Sequence, residues 1–135
     1  MPKKDLKTIL FLLNDTDLIL LNVIKTKFKK DNGWESVITT SYNDAVKAFK
    51  EAGDVVGVLT EIIINDHAGR TGFDFIAEIQ AEKNAANTEI IIFTELGLDD
   101  DKERAKTLGV KHYYVKNKIT LNELSEEIKK ILTKK

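Results

Sequence analysis

The chain has 135 residues, enough for one domain over residues 1–135 that buries about two thirds of its unfolded surface in a single core. With 42% hydrophobic and 32% charged residues and a net charge of -1, it has the balance of a soluble globular protein, with no general attraction for nucleic acid or an anionic membrane. It has no cysteine, which excludes disulfides, thiolate metal sites and cysteine nucleophiles and fits a reducing interior.

The amino-terminal Met-Pro-Lys-Lys-Asp is not a basic-then-apolar leader, and no apolar run approaches a membrane span, so the cytoplasm is the expected compartment. The continuous apolar run Thr8–Leu13 predicts a central strand buried on both faces. A helix is expected from Asp17 to Lys30, capped by Asp15 or Thr16 and ended by Asn32-Gly33. Trp34–Thr39 reads as a second strand. Ser41–Ala52 reads as a helix with Ser41 and Asp44 in a capping-box-like arrangement, stopped by Gly53. Val55–Thr60 is the third strand. After a loop from Ile62 to Thr71, a helix is expected over Gly72–Lys83, a strand over Glu89–Phe93, and a helix over Asp99–Leu108 closed by Gly109. His112–Lys116 makes the fifth strand. The last helix opens on the capping box Thr120-Leu121-Asn122-Glu123 and carries one apolar stripe of Leu121, Leu124, Ile128, Ile131 and Leu132. Strict alternation of strand and helix implies an α/β fold: a doubly wound, five-stranded parallel sheet with right-handed crossovers and helices on both faces.

In such a sheet, ligands collect at the carboxyl ends of the strands. Those ends carry Asn14-Asp15 after the first strand, Glu61 after the third, Thr94 after the fourth and Lys116 closing the fifth. An amide, two carboxylates, a hydroxyl and an ammonium at one place suggest a phosphate or metal site. Glu61 follows six uncharged residues and precedes three isoleucines, and a carboxylate in so apolar a stretch needs polar partners. His67 and His112 lie far apart and show no metal-ligand spacing.

Over Lys7–Lys134 the pattern resembles the CheY-like receiver domains of response regulators, which have the flavodoxin-like (βα)5 fold. The resemblance rests on Asn14-Asp15 at the family's acidic pair, Glu61 at its phospho-accepting aspartate, Thr94 at its switch hydroxyl, Tyr113 at its switch aromatic and Lys116 at its phosphate-sensing lysine. Gly72 matches the glycine before the third helix. It implies a non-enzymatic module of a two-component phosphorelay. The partner would be a histidine kinase or a downstream effector, met through the fourth helix, fifth strand and fifth helix around Lys102, Lys106, Tyr113 and Lys118, beside the acidic edge Asp99–Asp101. No nucleic acid or membrane is implied. Any magnesium would sit on Asp15, Glu61 and the Ile63 carbonyl.

Several residues depart from that pattern. Glutamate is one methylene longer than aspartate, which moves the carboxylate about 1.5 Å from the in-line position, and attack geometry tolerates little displacement. Asn14 reduces the acidic pair to one acid, so magnesium is expected to bind weakly or not at all. Glu95 adds bulk and negative charge beside Thr94. Asn117 replaces a proline after Lys116, so a trans bond and a rearranged turn are expected there, since a cis bond to a non-proline residue costs about 3 kcal/mol. The loop Ile64–Thr71 is longer than usual and lacks the family's proline. The expected function is a degenerate receiver, a pseudo-receiver that works by protein contacts without normal aspartyl phosphorylation. Two alternatives stand beside it: a genuine phospho-acceptor using Glu61, and a small haloacid-dehalogenase-like phosphohydrolase using Asp15-Thr16-Asp17, with Thr94 and Lys116 in support. A flavodoxin-like nucleotide binder is disfavoured because no glycine-rich phosphate loop follows the first strand.

Overall fold

The computed structural model describes residues 7–52, 54–82 and 85–133. Gly53, Lys83 and Lys134, which the sequence reading used as boundaries, lie outside the described residues. The described residues form five strands, β1 (Thr8–Leu12), β2 (Glu35–Thr39), β3 (Val55–Thr60), β4 (Glu89–Thr94) and β5 (His112–Val115). They alternate with α1 (Leu18–Asn32), α2 (Tyr42–Ala52), α3 (Gly72–Gln80), α4 (Asp99–Thr107) and α5 (Leu121–Thr133). All strand pairings are parallel, in the order β2-β1-β3-β4-β5.

Burial of β1 on both sides explains its unbroken apolar sequence. Ile9, Phe11 and Leu13 face a cluster built by Leu21, Ile24 and Phe28 of α1 and Leu124, Ile128 and Leu132 of α5. The alternate residues Leu10 and Leu12 face Tyr42, Ala45 and Phe49 of α2 and Phe75 and Ile79 of α3. A third cluster joins Ile62, Phe73, Ile76 and Ile92 to Ala105 of α4. The period of two along β1 thus sends successive side chains to α1 and α5 on one face and to α2 and α3 on the other.

Several helix ends follow their local chemistry. At Gly33 the backbone turns left-handed (φ 72°), the Gly33 N–H donates to Lys29 and Phe28 carbonyls, and Trp34 returns its N–H to Phe28 while its ring packs on the Phe28 ring at 5.3 Å. The Thr120 box forms in both directions: the Thr120 N–H donates to Glu123 at 2.8 Å and the Glu123 N–H to the Thr120 hydroxyl at 3.1 Å. The Ser41 hydroxyl accepts from the Asp44 N–H. The start of α1 departs from its expected capping. Neither Asp15 nor Thr16 caps it; residues Asp15–Asp17 wind into a 3-10 turn, and the helix begins at Leu18 with Asp17 at its N-cap position and no side-chain cap bond. The reason lies in the site, where Asp17 is engaged elsewhere.

Candidate functional site

The strand order reverses at β1, whose neighbours are β2 on one side and β3 on the other. Chains leaving the carboxyl ends of β1 and β3 therefore diverge to opposite faces and open a crevice between them. Leu12 pairs with Thr60 at that end, and the Glu61 N–H donates to the Leu12 carbonyl at 2.9 Å, so the last ladder bond places Glu61 in the crevice. The cleft there has a volume of about 320 Å³ and is lined by Asn14, Thr16, Glu61, Ile63, Thr94, Glu95, Leu96 and Lys116.

Glu61 is 3% exposed, and each of its carboxylate oxygens has a partner. Oε1 lies 2.8 Å from the Lys116 ammonium and Oε2 accepts the Ile62 N–H at 2.7 Å. Lys116 starts a 3-10 turn (Lys116–Lys118) just past β5, and its ammonium also meets Asp17 Oδ2 at 2.8 Å and stands 5.4 Å from the centre of the Phe93 ring. Burial works against the charge on Lys116, but hydrogen bonds to Asp17 and Glu61 outweigh it and hold the ammonium above the ordinary lysine range. One cation between two carboxylates makes a tie across the ends of β3, β5 and the start of α1.

Gly72 makes the geometry possible. It opens α3 with its N–H on the Ile62 carbonyl at 2.7 Å, and a Cβ built there would stand 1.9 Å from the Glu61 carbonyl oxygen. No other residue lets α3 pass so close to the backbone of Glu61.

Asn14 does not act as an acid substitute. Its amide donates to the Ile63 carbonyl at 3.0 Å, pinning the loop that follows β3 against the one that follows β1. The other end of that loop is held by Arg70, which bonds Asp66 through Nε and Nη2, reaches Asn43 and stacks over the Tyr42 ring at 3.9 Å. Asp15 is exposed and is not part of the cleft lining. Among the described residues, no three histidine or acidic side chains are gathered to hold a metal ion.

Thr94 is fully buried at the end of β4, one residue beyond the expected strand end, and its hydroxyl accepts the Leu96 N–H at 3.2 Å. Tyr113 is half-buried, and its hydroxyl donates to the Leu96 carbonyl at 2.6 Å. The two residues thus hold the backbone of one loop residue, Thr94 at the Leu96 N–H and Tyr113 at its carbonyl. The bond between Lys116 and Asn117 is trans, there being no cis peptide among the described residues.

The structure brings together Glu61, Lys116, Thr94 and Asn14, as the strand ends predicted, and leaves Asp15 outside. Sequence reasoning missed Asp17 as Lys116's second partner. Its signal was an acid in the expected first turn of α1 that could equally turn inward, and the Asp15–Asp17 turn is what aims it.

All three tyrosines are harder to ionise than free tyrosine. Burial raises Tyr113 to about 12, helped by the negative charges of Asp101 and Glu61; burial and the hydrogen bond to Glu78 raise Tyr42; burial and Glu127 raise Tyr114. A phenol raised in the folded state favours folding below its unfolded pKa of about 10 and loses that contribution as pH climbs toward the folded value. Spectrophotometric titration is therefore expected to show Tyr42 and Tyr113 not ionising near pH 10 until the protein unfolds, with stability falling between about pH 10 and 12. More than one tyrosine titrating reversibly near pH 10 in the folded protein would contradict the burial described.

No protein-family model matches the sequence, and neither does any curated protein. Solved structures do match. A CheY-like response regulator receiver domain protein from Methanospirillum hungatei JF-1 superimposes with a TM-score of 0.75 at 18% identity, over 96% of this chain and 95% of that one. A DNA-binding response regulator of the LuxR family from Staphylococcus aureus gives 0.74 at 25% identity, over 93% and 98%. A phosphorylated cyanobacterial phytochrome response regulator gives 0.75 at 16% identity, over 96% and 95%.

Proposed function

We propose that this chain, which has the fold of a CheY-like response-regulator receiver domain, is a receiver-like module of two-component signalling that acts through protein contacts without normal phosphorylation. The observation that carries the reading is the Glu61–Lys116 contact at 2.8 Å inside a buried site whose second carboxylate, Asp17, holds the same ammonium. Each Glu61 oxygen already accepts from a donor, Lys116 or the Ile62 N–H, which draws charge from it and makes it a weaker nucleophile, and Glu95 adds a carboxylate at the mouth.

The donor set does not suit magnesium. Asn14 is neutral and turns its amide to the Ile63 carbonyl, and Asp15 faces solvent, so neither offers the oxygen cage that a small hard cation requires. Magnesium is held weakly or not at all, and no step of the proposed function runs through it. The same geometry counts against the phosphohydrolase alternative, since Asp15 does not line the cleft and Asp17 is paired with Lys116.

With Lys116 drawn toward Glu61 by an internal carboxylate, the module has part of the charge arrangement a phosphoryl group would impose. Glu61 contributes one negative charge against about one and a half to two for a phosphoryl group, so it biases the switch without locking it. The output face is α4, β5 and α5, where Lys102, Lys106 and Lys118 lie beside the acids of the α4 start, suiting a partner of mixed charge.

Magnesium titration tests the reading. The wild-type protein is expected not to approach saturation at millimolar magnesium, whereas Asn14→Asp combined with Glu61→Asp, which restores the acid pair and the shorter carboxylate, binds measurably tighter. Tight binding by the wild type would overturn the proposal. Unchanged affinity in the double variant would instead place the obstruction in the pinned loop Ile62–Thr71.

A further inference from the structure

The most exposed large apolar side chain among the described residues that form helices is Ile19, 83% exposed on α1, with Val23 one turn on at 50%. They head an open groove of about 700 Å³ that runs down the outer face of α1 to Lys27 and Lys30. The groove's one acid, Asp31, is bridged by Lys129 at 2.8 Å and lies 3.7 Å from Lys27, so Lys27, Lys30 and Lys129 together outnumber it and the groove carries apolar surface at one end and excess positive charge at the other. The matching pattern occurs elsewhere in the same molecule. Leu98, 69% exposed, stands at the entry to α4 and is followed at once by Asp99, Asp100 and Asp101. Acids in a first helical turn are stabilising on their own account. That local role does not explain an exposed leucine directly before them. Because α1 packs on one face of the sheet and α4 on the other, a chain cannot reach its own groove.

We propose that the α1 groove is a docking site for a second copy of this chain, which inserts Leu98 between Ile19 and Val23 and sets its α4 acids against Lys27 and Lys30. The contact pairs two different surfaces, so it is heterologous and propagates head to tail instead of closing as a symmetric dimer. It is small, and small interfaces of this kind are weak and sensitive to salt. The inference stands apart from the state of Glu61 and does not rest on the signalling reading.

Sedimentation equilibrium tests it. The weight-average mass of the wild type is expected to rise with concentration without levelling at a dimer, and to return toward the monomer in high salt. Val23→Glu spoils the groove and Leu98→Glu spoils the insert, and each alone is expected to remain monomeric. Each variant keeps the surface the other lacks, so an equimolar mixture is expected to form a one-to-one heterodimer that extends no further. Both positions are exposed, and Lys27→Glu with Lys30→Glu gives a second test that leaves the apolar pair intact and is expected to weaken association at least tenfold. A wild type that stays monomeric at every concentration, a Leu98→Glu variant that associates like the wild type, or a mixture that fails to pair would each overturn the proposal.

Discussion

Gly72→Ala is expected to destabilise the protein by about 3 kcal/mol or more and to lower the melting temperature by about 10 °C, because the added methyl has nowhere to go. The clash is with backbone: the new Cβ would meet the Glu61 carbonyl oxygen at 1.9 Å, the Glu61 carbonyl carbon at 2.9 Å and the Ile62 Cα at 3.1 Å. A flexible side chain could swing aside, whereas these atoms are held by the last ladder bond of β3 and by the Gly72 N–H on the Ile62 carbonyl. Relief requires α3 to move, which disturbs Phe73, Phe75, Ile76 and Ile79, all buried against the sheet. Thermal unfolding followed by circular dichroism measures the effect, and a loss below about 1 kcal/mol would show that α3 does not approach Glu61 as closely as described.

The second large effect follows from the buried tie. Lys116→Met is expected to cost about 3–5 kcal/mol, since it removes the cation and leaves the Glu61 carboxylate, whose side chain is 4% exposed, without a counter-charge. Methionine keeps most of the aliphatic stem, so the loss reports charge and hydrogen bonding more than packing. The double variant Lys116→Met, Glu61→Gln removes the more deeply buried of the two carboxylates left without a cation, Asp17 being 14% exposed, and is expected to recover part of the loss, a non-additivity that a double-mutant cycle reads directly. If the two substitutions simply add, Glu61 and Lys116 do not form the pair seen here.

Most of the fold was written in the sequence in a legible form. The run Ile9–Leu13 has no polar interruption because β1 is covered on both faces, and the spacing of Leu124, Ile128 and Leu132 marks the buried stripe of α5 without ambiguity. The Thr120–Glu123 box and Gly33 fixed helix ends because each reports a local backbone requirement. Boundaries that depend on tertiary contacts were less legible. The first helix was expected from Asp17 with a side-chain cap, yet Asp17 turns to a lysine 99 residues away, a partner no local rule can supply. Thr94 extends β4 because it pairs with Val115 in the neighbouring strand.

The site divides in the same way. Glu61, Thr94 and Lys116 were found because a parallel sheet gathers its carboxyl ends whatever the loops do. Asp15 was placed in the site by its position next to Asn14, but the 3-10 turn rotates it to solvent and brings Asp17 inward. Asn14 was read as a missing acid or as a turn former at the strand end. Its amide has two donors, and one of them closes the loop through the Ile63 carbonyl, a use that aspartate could not serve.

The central claim, that the module signals with its acceptor position closed, meets its most direct test in intact-protein mass measurement after incubation with acetyl phosphate and magnesium. The expected spectrum is that of the unmodified chain, in the wild type and in Glu61→Gln alike. A gain of one phosphoryl group in the wild type that disappears in Glu61→Gln would contradict the account and make Glu61 a true acceptor.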